Sequence, residues 1–203
     1  MSIIEITTGV LVLSTGIIAG LYGVYCSDKT NNVNMNIVRP LHDKIHKFIP
    51  YYVPKAYADI PIALSLLFGL CFMFTLEWEN MCIYFLKISI AICILNVIRP
   101  FCYCSTILPS PDPYNDVWYR AHQTSGHHDL MFSGHVSHSL TILLMLYDFD
   151  CNFTGILFGS ICLLFQILLS LLTKSHYTVD IIIALIVPFT FLTWSNNLVN
   201  FFL

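Results

Sequence analysis

Long apolar runs alternate with two polar stretches along the chain. Six runs approach the ~20 residues that a helix needs to cross a bilayer. They occupy approximately 4–25, 58–76, 81–98, 133–149, 153–172 and 177–196. Only the short Asp148-Phe149-Asp150-Cys151-Asn152 turn separates the fourth from the fifth, so these two must form an antiparallel hairpin. Gly16-x-x-x-Gly20 and Gly155-x-x-x-Gly159 place small residues one helical turn apart, the pattern that lets helix backbones approach closely. Pro188 lies inside the sixth run and predicts a kink there, where a backbone donor is lost. The pattern predicts an all-α polytopic membrane protein, a single domain of six transmembrane helices.

Residues 26–57 and 99–132 are too polar to span. In the first stretch Leu41, Ile45 and Phe48 recur at helical spacing among His42, Asp43, Lys44 and Lys47. That spacing predicts a short helix lying on the membrane surface. The second is dense in Pro, Asp, Tyr and His, and a loop of this length in a compact protein is usually functional. With six spans, both stretches and residues 173–176 open on the same face.

Composition supports the membrane reading. At 57% hydrophobic and 10% charged, with a mean hydropathy of +0.73, the chain lacks the charge a soluble surface carries. Its partners are therefore expected to be membrane lipids and not nucleic acid. The N-terminus has no basic residues ahead of its first apolar run, so that run reads as a retained helix and not a cleaved signal. Cys71, Cys93 and Cys162 sit in apolar runs as small hydrophobes. Cys102 and Cys104 are too close for an easy disulfide and too few for a zinc site.

Against this apolar background two motifs stand out. Ser133-Gly134-His135 opens the fourth run, and His176-Tyr177-Thr178-Val179-Asp180 opens the sixth. Ionisable groups are costly at membrane depth and mark function by default. His176 and Asp180 share a helix face one turn apart. The carboxylate then fixes the imidazole tautomer and leaves the other nitrogen free to attack. His135 is placed to protonate a departing alkoxide. Ser133, Gly134 and the helix-end N–H groups form a candidate phosphate cradle. Arg99 is the best-suited cation, because its fork matches phosphate oxygens, and Lys174 is the second. These are the parts of a phosphoryl transfer in which no metal or other cofactor is needed.

Blander roles account for other polar residues. His42, His46 and His122 read as interfacial anchors. His127, His128, Asp129, His135 and His138 match no dedicated zinc spacing. Lys87 is expected to snorkel toward Glu77 and Glu79.

Together the two motifs resemble the active-site motifs of the sphingomyelin synthases, a branch of the type 2 phosphatidic acid phosphatase (PAP2) superfamily. Two looser stretches agree. Arg99 to Pro109, with Thr106 and Leu108, resembles the family's arginine-to-Thr-Leu-Pro stretch, and Pro40-Leu41-His42-Asp43 resembles its Pro-Leu-Pro-Asp element. The resemblance covers roughly residues 38–190. It implies a six-helix PAP2-like bundle and a triad of His135, His176 and Asp180. Asp129 and Tyr177, beside or within these motifs, are expected among the head-group contacts. The implied reaction moves phosphocholine from phosphatidylcholine to ceramide. A similar plant branch exchanges it between phosphatidylcholine and diacylglycerol.

The basic residues that the superfamily's phosphatases carry ahead of both histidines are incomplete here, since Lys87 lies too far upstream of Arg99-Pro100 and only Lys174 precedes His176. Their absence favours the transferase branch. A lipid phosphate phosphatase using the same triad is the first alternative, and a membrane scaffold without turnover is the second. Orientation is contested. The loops of the site face hold Lys29, Arg39, Lys44, Lys47, Lys55, Arg99, Arg120 and Lys174, which by the positive-inside rule makes that face cytosolic. The resemblance implies a site facing the lumen or exterior of the Golgi, endoplasmic reticulum or plasma membrane. The lumenal reading is preferred, because Arg99 and Lys174 have a chemical reason to stand where they do.

Overall fold

The computed structural model describes residues 2–31, 42–49, 53–105 and 132–202. The described residues form helices and no strands. They are α1 (Ser2–Asn31), α2 (Lys44–Phe48), a 3-10 turn (Lys55–Ala58), α3 (Asp59–Met73), α4 (Trp78–Ser105), α5 (Gly134–Asp148), α6 (Phe153–Leu172) and α7 (Thr178–Phe202). Four of them contain stretches long and apolar enough to cross a membrane: Ile3–Gly23, Ala56–Met73, Trp78–Cys102 and Phe153–Leu172. These helices fit an integral membrane protein.

Of the other two expected spans, α5 differs from the expectation for a physical reason. α5 has 15 residues, which at ~1.5 Å per residue falls short of a ~30 Å hydrocarbon core. It has little need to match lipid, because it packs against α3, α4, α6 and α7. Val136, Leu140, Ile142, Met145 and Leu146 are buried along it. Two of its buried hydroxyls are satisfied within the helix: Ser137 Oγ donates to Gly134 O, and Thr141 Oγ1 donates to Ser137 O. α7 is 25 residues long, and Thr178–Phe191 is its apolar stretch among the described residues.

α1 runs parallel to α4 through the expected small-residue face. A side chain at Gly16 would begin 2.5 Å from the Cys93 Cα, and one at Gly23 would collide with the Pro100 ring. Gly20 faces Asn96 in the same row. This seam carries α4 straight through Pro100 to Ser105, past the boundary at 98 expected from sequence. Arg99 is consequently inside a helix, not at its mouth. α7 likewise continues through Pro188.

α5 and α6 form the expected hairpin. Asp150 reverses the chain at φ 51°, and Asn152 caps α6 by accepting the Gly155 N–H at 2.9 Å. Gly159 rests on Leu143 and Leu146. Lys87 corrects an expectation: its Nζ bonds Asp148 Oδ2 at 2.8 Å and lies over the Phe149 ring, instead of turning to Glu77 and Glu79. That contact joins the start of α4 to the end of α5. The opposite ends, carrying Arg99 and Gly134, therefore also meet.

Candidate active site

Two histidine-bearing helix starts converge on one apolar cluster. Leu95 of α4, Phe132, Val136 of α5, and Ile181 and Ala184 of α7 are buried together. Val136 follows His135 and Ile181 follows Asp180, so the shared cluster sets the two motifs beside each other at the same end of the bundle.

At the first motif Ser133 caps α5, its Oγ accepting the Val136 N–H at 3.4 Å. The Arg99 guanidinium lies against Gly134. A Cβ there would stand 2.8 Å from Nη1 and 2.9 Å from Cζ, so the glycine makes room for the cation. Arg99, expected from sequence only as a cation for phosphate, thus lies beside the glycine of the first motif. His138, one turn on, bonds the Gly134 carbonyl through Nδ1 at 2.6 Å. His135 Nε2 lies 2.7 Å from Asp59 Oδ1. Nothing in the sequence announced Asp59, which is 76 residues away.

At the second motif His176 and Asp180 are both buried, at 8% and 0% exposure. Their closest approach, Nδ1 to Oδ2, is 3.8 Å, an ion-pair distance and not the hydrogen bond expected from the spacing. Asp180 Oδ2 instead accepts the Tyr177 N–H at 2.8 Å, the reach-back of a third-position carboxylate to its own N-cap. His176 Nδ1 and Asp180 Oδ1 have no hydrogen-bond partner among the described residues. Two buried, unsatisfied atoms in one small space mark polar capacity the fold leaves unused: an imidazole nitrogen, and a carboxylate oxygen that can only accept.

The loop that aims His176 is built from hydroxyls. Thr173 Oγ1 donates to Leu169 O, Thr173 and Ser175 share a bond at 3.0 Å, and Ser175 Oγ donates to Ser170 O. These bonds satisfy carbonyls at the end of α6. Lys174 follows at φ 50°, a left-handed conformation that costs a non-glycine residue ~1–2 kcal/mol. Strain of that kind clusters at functional sites.

Asp43, which the sequence placed in the Pro-Leu-His-Asp element without assigning it a role, also reaches this site. It caps α2, accepting from Ile45 N, and crosses to α7, where its carboxylate accepts the Thr178 N–H at 2.6 Å and the Thr178 hydroxyl at 3.0 Å. Burial works to raise Asp43, but the Thr178 and His46 donors outweigh it and hold the carboxyl below its ordinary value. His46 stacks on Tyr177 at 6.3 Å between ring centres. Burial lowers its affinity for a proton, and nearby Lys174 lowers it further against the pull of Asp43 and Asp180. Asp43 is therefore tied to the start of α7. The signal was available: Asp43 stands before a short amphipathic helix, and Asp caps are common there.

Asp129, counted among the head-group contacts, lies outside the described residues, as do His122, His127, His128, Arg120 and Leu41.

With this geometry, residues 128–197 match the family model described as PAP2 superfamily C-terminal. The match supports the PAP2 superfamily. It contains both motifs, all of α5 and α6, and α7 as far as residue 197. Phosphatases and phosphotransferases both fall within that superfamily, whose members are phosphoryl-transfer enzymes. No curated protein matches the chain.

Proposed function

We propose that the chain is a membrane-embedded lipid head-group transferase of sphingomyelin synthase type, with α5 and α7 completing six spans. His176 attacks the phosphorus of a phosphatidylcholine-like donor. The nitrogen–phosphorus bond forms as the bond to the diacylglycerol oxygen breaks, and His135 gives that oxygen its proton. A hydroxyl of ceramide or diacylglycerol then returns a proton to His135 and attacks the phosphohistidine, which frees His176. Arg99, Lys174 and the N–H groups at the start of α5 balance the phosphoryl charge, the role a metal fills elsewhere. Asp180 orients His176 and stabilises the imidazolium on the way.

One observation carries the reading. Two buried helix starts, each opened by a histidine, share one apolar cluster, with a guanidinium laid against the glycine of the first. The match to the PAP2 C-terminal family agrees with it. The alternative to separate is a phosphatase that gives the head group to water.

The test is purified protein in detergent with phosphatidylcholine and either ceramide or diacylglycerol, followed by lipid mass spectrometry. A transferase leaves phosphocholine on the acceptor lipid and releases little to water. Equal release with and without acceptor makes the protein a hydrolase, and no turnover of either kind makes it a scaffold. The site is proposed to face the lumen. A cysteine introduced by Ser110→Cys, in a background without exposed thiols, should stay unlabelled when only the plasma membrane is permeabilised. Labelling under that condition makes the face cytosolic.

A further inference from the structure

We infer that His138 is a specificity-determining residue, whose Nε2 accepts a hydrogen bond from a donor group beside the attacking hydroxyl of the acceptor lipid. This inference rests on the transferase reading above and deepens it.

The surface of α5 singles the residue out. From Phe132 to Ile142 every residue is buried except His135 and His138. Three residues apart, the two are neighbours on one helix face, so they share the same opening. Gly134, four residues before His138, belongs to that stripe, and the Arg99 guanidinium lies against it. His138 thus stands at the proposed reaction centre, although the two displacements give it no task.

The state of its ring follows from its partner. Nδ1 lies 2.6 Å from the Gly134 carbonyl oxygen. A carbonyl only accepts, so Nδ1 carries a proton, and in the neutral ring Nε2 keeps a lone pair. Arg99, Lys174 and the helix-end N–H groups, which balance the phosphoryl charge in this mechanism, are all donors. A lone pair has the wrong sign for phosphate oxygens, which also accept. It suits an N–H or O–H on a substrate. The choline head group has neither, so the donor belongs to the acceptor lipid.

Depth decides which group of that lipid it meets. α5 runs from the site into the bundle, and three residues advance ~4.5 Å along it. The attacking hydroxyl is at His135 and the lipid tails extend inward, so His138 is level with the next groups along the acceptor. In ceramide these are the amide N–H and the secondary hydroxyl, both donors. In diacylglycerol they are ester oxygens, which can only accept. A site built around such an acceptor atom rejects a ligand that lacks the matching donor.

Two measurements on full-length protein in detergent test this. In the first, isotope-labelled histidine is followed by NMR at neutral pH, with the His138 ring signals assigned by their loss in His138→Phe. Nε2 should be unprotonated, and its resonance should shift on addition of ceramide and not of diacylglycerol. A protonated Nε2, or equal shifts with both lipids, overturns the inference. This arm needs no turnover, so it decides the role of His138 even if every lipid assay is silent and the transferase reading fails. In the second, transfer of phosphocholine from phosphatidylcholine to ceramide and to diacylglycerol is measured in competition. His138→Phe, which keeps a ring without the acceptor atom, should reduce kcat/KM for ceramide about tenfold more than for diacylglycerol, the scale of one hydrogen bond. His138→Gln, whose side-chain oxygen can accept, should recover part of that difference. An equal loss on both acceptors, or no recovery with Gln, makes His138 a structural residue and overturns the inference.

Discussion

The two histidines are held in opposite ways. His176 is buried and takes its carboxylate from four residues along the same helix, yet the two groups stand 3.8 Å apart. His135 is partly open and takes its carboxylate from another helix, 76 residues away, at 2.7 Å. Proximity in sequence has not produced the tighter contact. Asp180 is engaged in capping its own helix through Tyr177 N–H, so helix geometry competes with the dyad. Asp59, the first residue of α3, meets His135 directly. The nucleophile's partner thus comes from its own helix, and the acid's partner from another.

The comparison is broken most severely at His176. His176→Ala should lower turnover by roughly three orders of magnitude or more, as losses of a nucleophile's group do, with the thermal midpoint retained. Asp180 divides differently from what its spacing alone implies. Asp180→Ala removes the acceptor of the Tyr177 N–H as well as the imidazole's carboxylate, so it should cost activity and about 1 kcal/mol of stability together. Asp180→Asn keeps an acceptor oxygen and should separate the two, retaining the fold while losing most of the rate. Circular dichroism melts beside the lipid transfer assay make the measurement; near wild-type turnover in Asp180→Asn removes its charge from the mechanism.

Gly134 sharpens the other half. Alanine is a better helix former than glycine, and Gly134 has no positive φ that would exclude it. Its Cβ would nonetheless occupy the space of the Arg99 guanidinium, 2.8 Å from Nη1. Gly134→Ala should therefore leave stability intact or improved while reducing kcat by about 10–100-fold, the scale of one displaced charge-stabilising donor. Equal kcat in the variant means that Arg99 does not hold the phosphoryl group.

What was legible in the sequence follows the same division between local and distant contacts. The helix starts at Ser133-Gly134 and Thr178, the small-residue seams of α1 and α6, and the reversal after Asp148 are set within a few residues, and each was readable. Periodicity gave the apolar runs but misjudged their ends. α4 passes through Pro100 because Gly23 of α1 receives the ring, and no local signal reports a neighbouring helix. Of the candidate site, the histidines, Asp180 and Arg99 were visible as costly groups in an apolar chain. Asp59 was not, and Asp43 was visible only through the Pro-Leu-His-Asp element and without a role, since a carboxylate beside a helix start reads first as a cap. Their partners are 76 and 135 residues away.

Asp43 offers a milder perturbation. Removing its carboxylate by Asp43→Ala leaves Thr178 N without its charged acceptor and unties α2 from α7. The expected cost is about 1 kcal/mol, with a several-fold loss of activity through a looser His176. Protection of the Thr178 amide from hydrogen exchange reports the first effect directly. Unchanged protection in the variant shows that the start of α7 is held by Asp180 alone.

The smallest expected effect is that of pH on the same strap. His46 has a folded proton affinity below its ordinary value of 6.5, so the unfolded or released form binds the proton more readily. Its contribution is complete above 6.5 and is lost as pH falls toward the lower folded value. Asp43 has the same sign in a more acidic window: its contribution is present above 3.8 and is lost as pH falls through its depressed folded value. Lys174 opposes charging of His46, whereas Asp43 and Asp180 favour it, so the release is graded and not abrupt. His46→Phe keeps a ring against Tyr177 and removes the titrating nitrogen. Hydrogen exchange at Thr178, compared between wild type and His46→Phe at matched pH, should agree near pH ~7.5 and diverge by a few-fold near pH ~5.5 as the imidazole charges. The faster exchange belongs to the wild type. A constant ratio across that range places the pH sensitivity of the α7 start elsewhere.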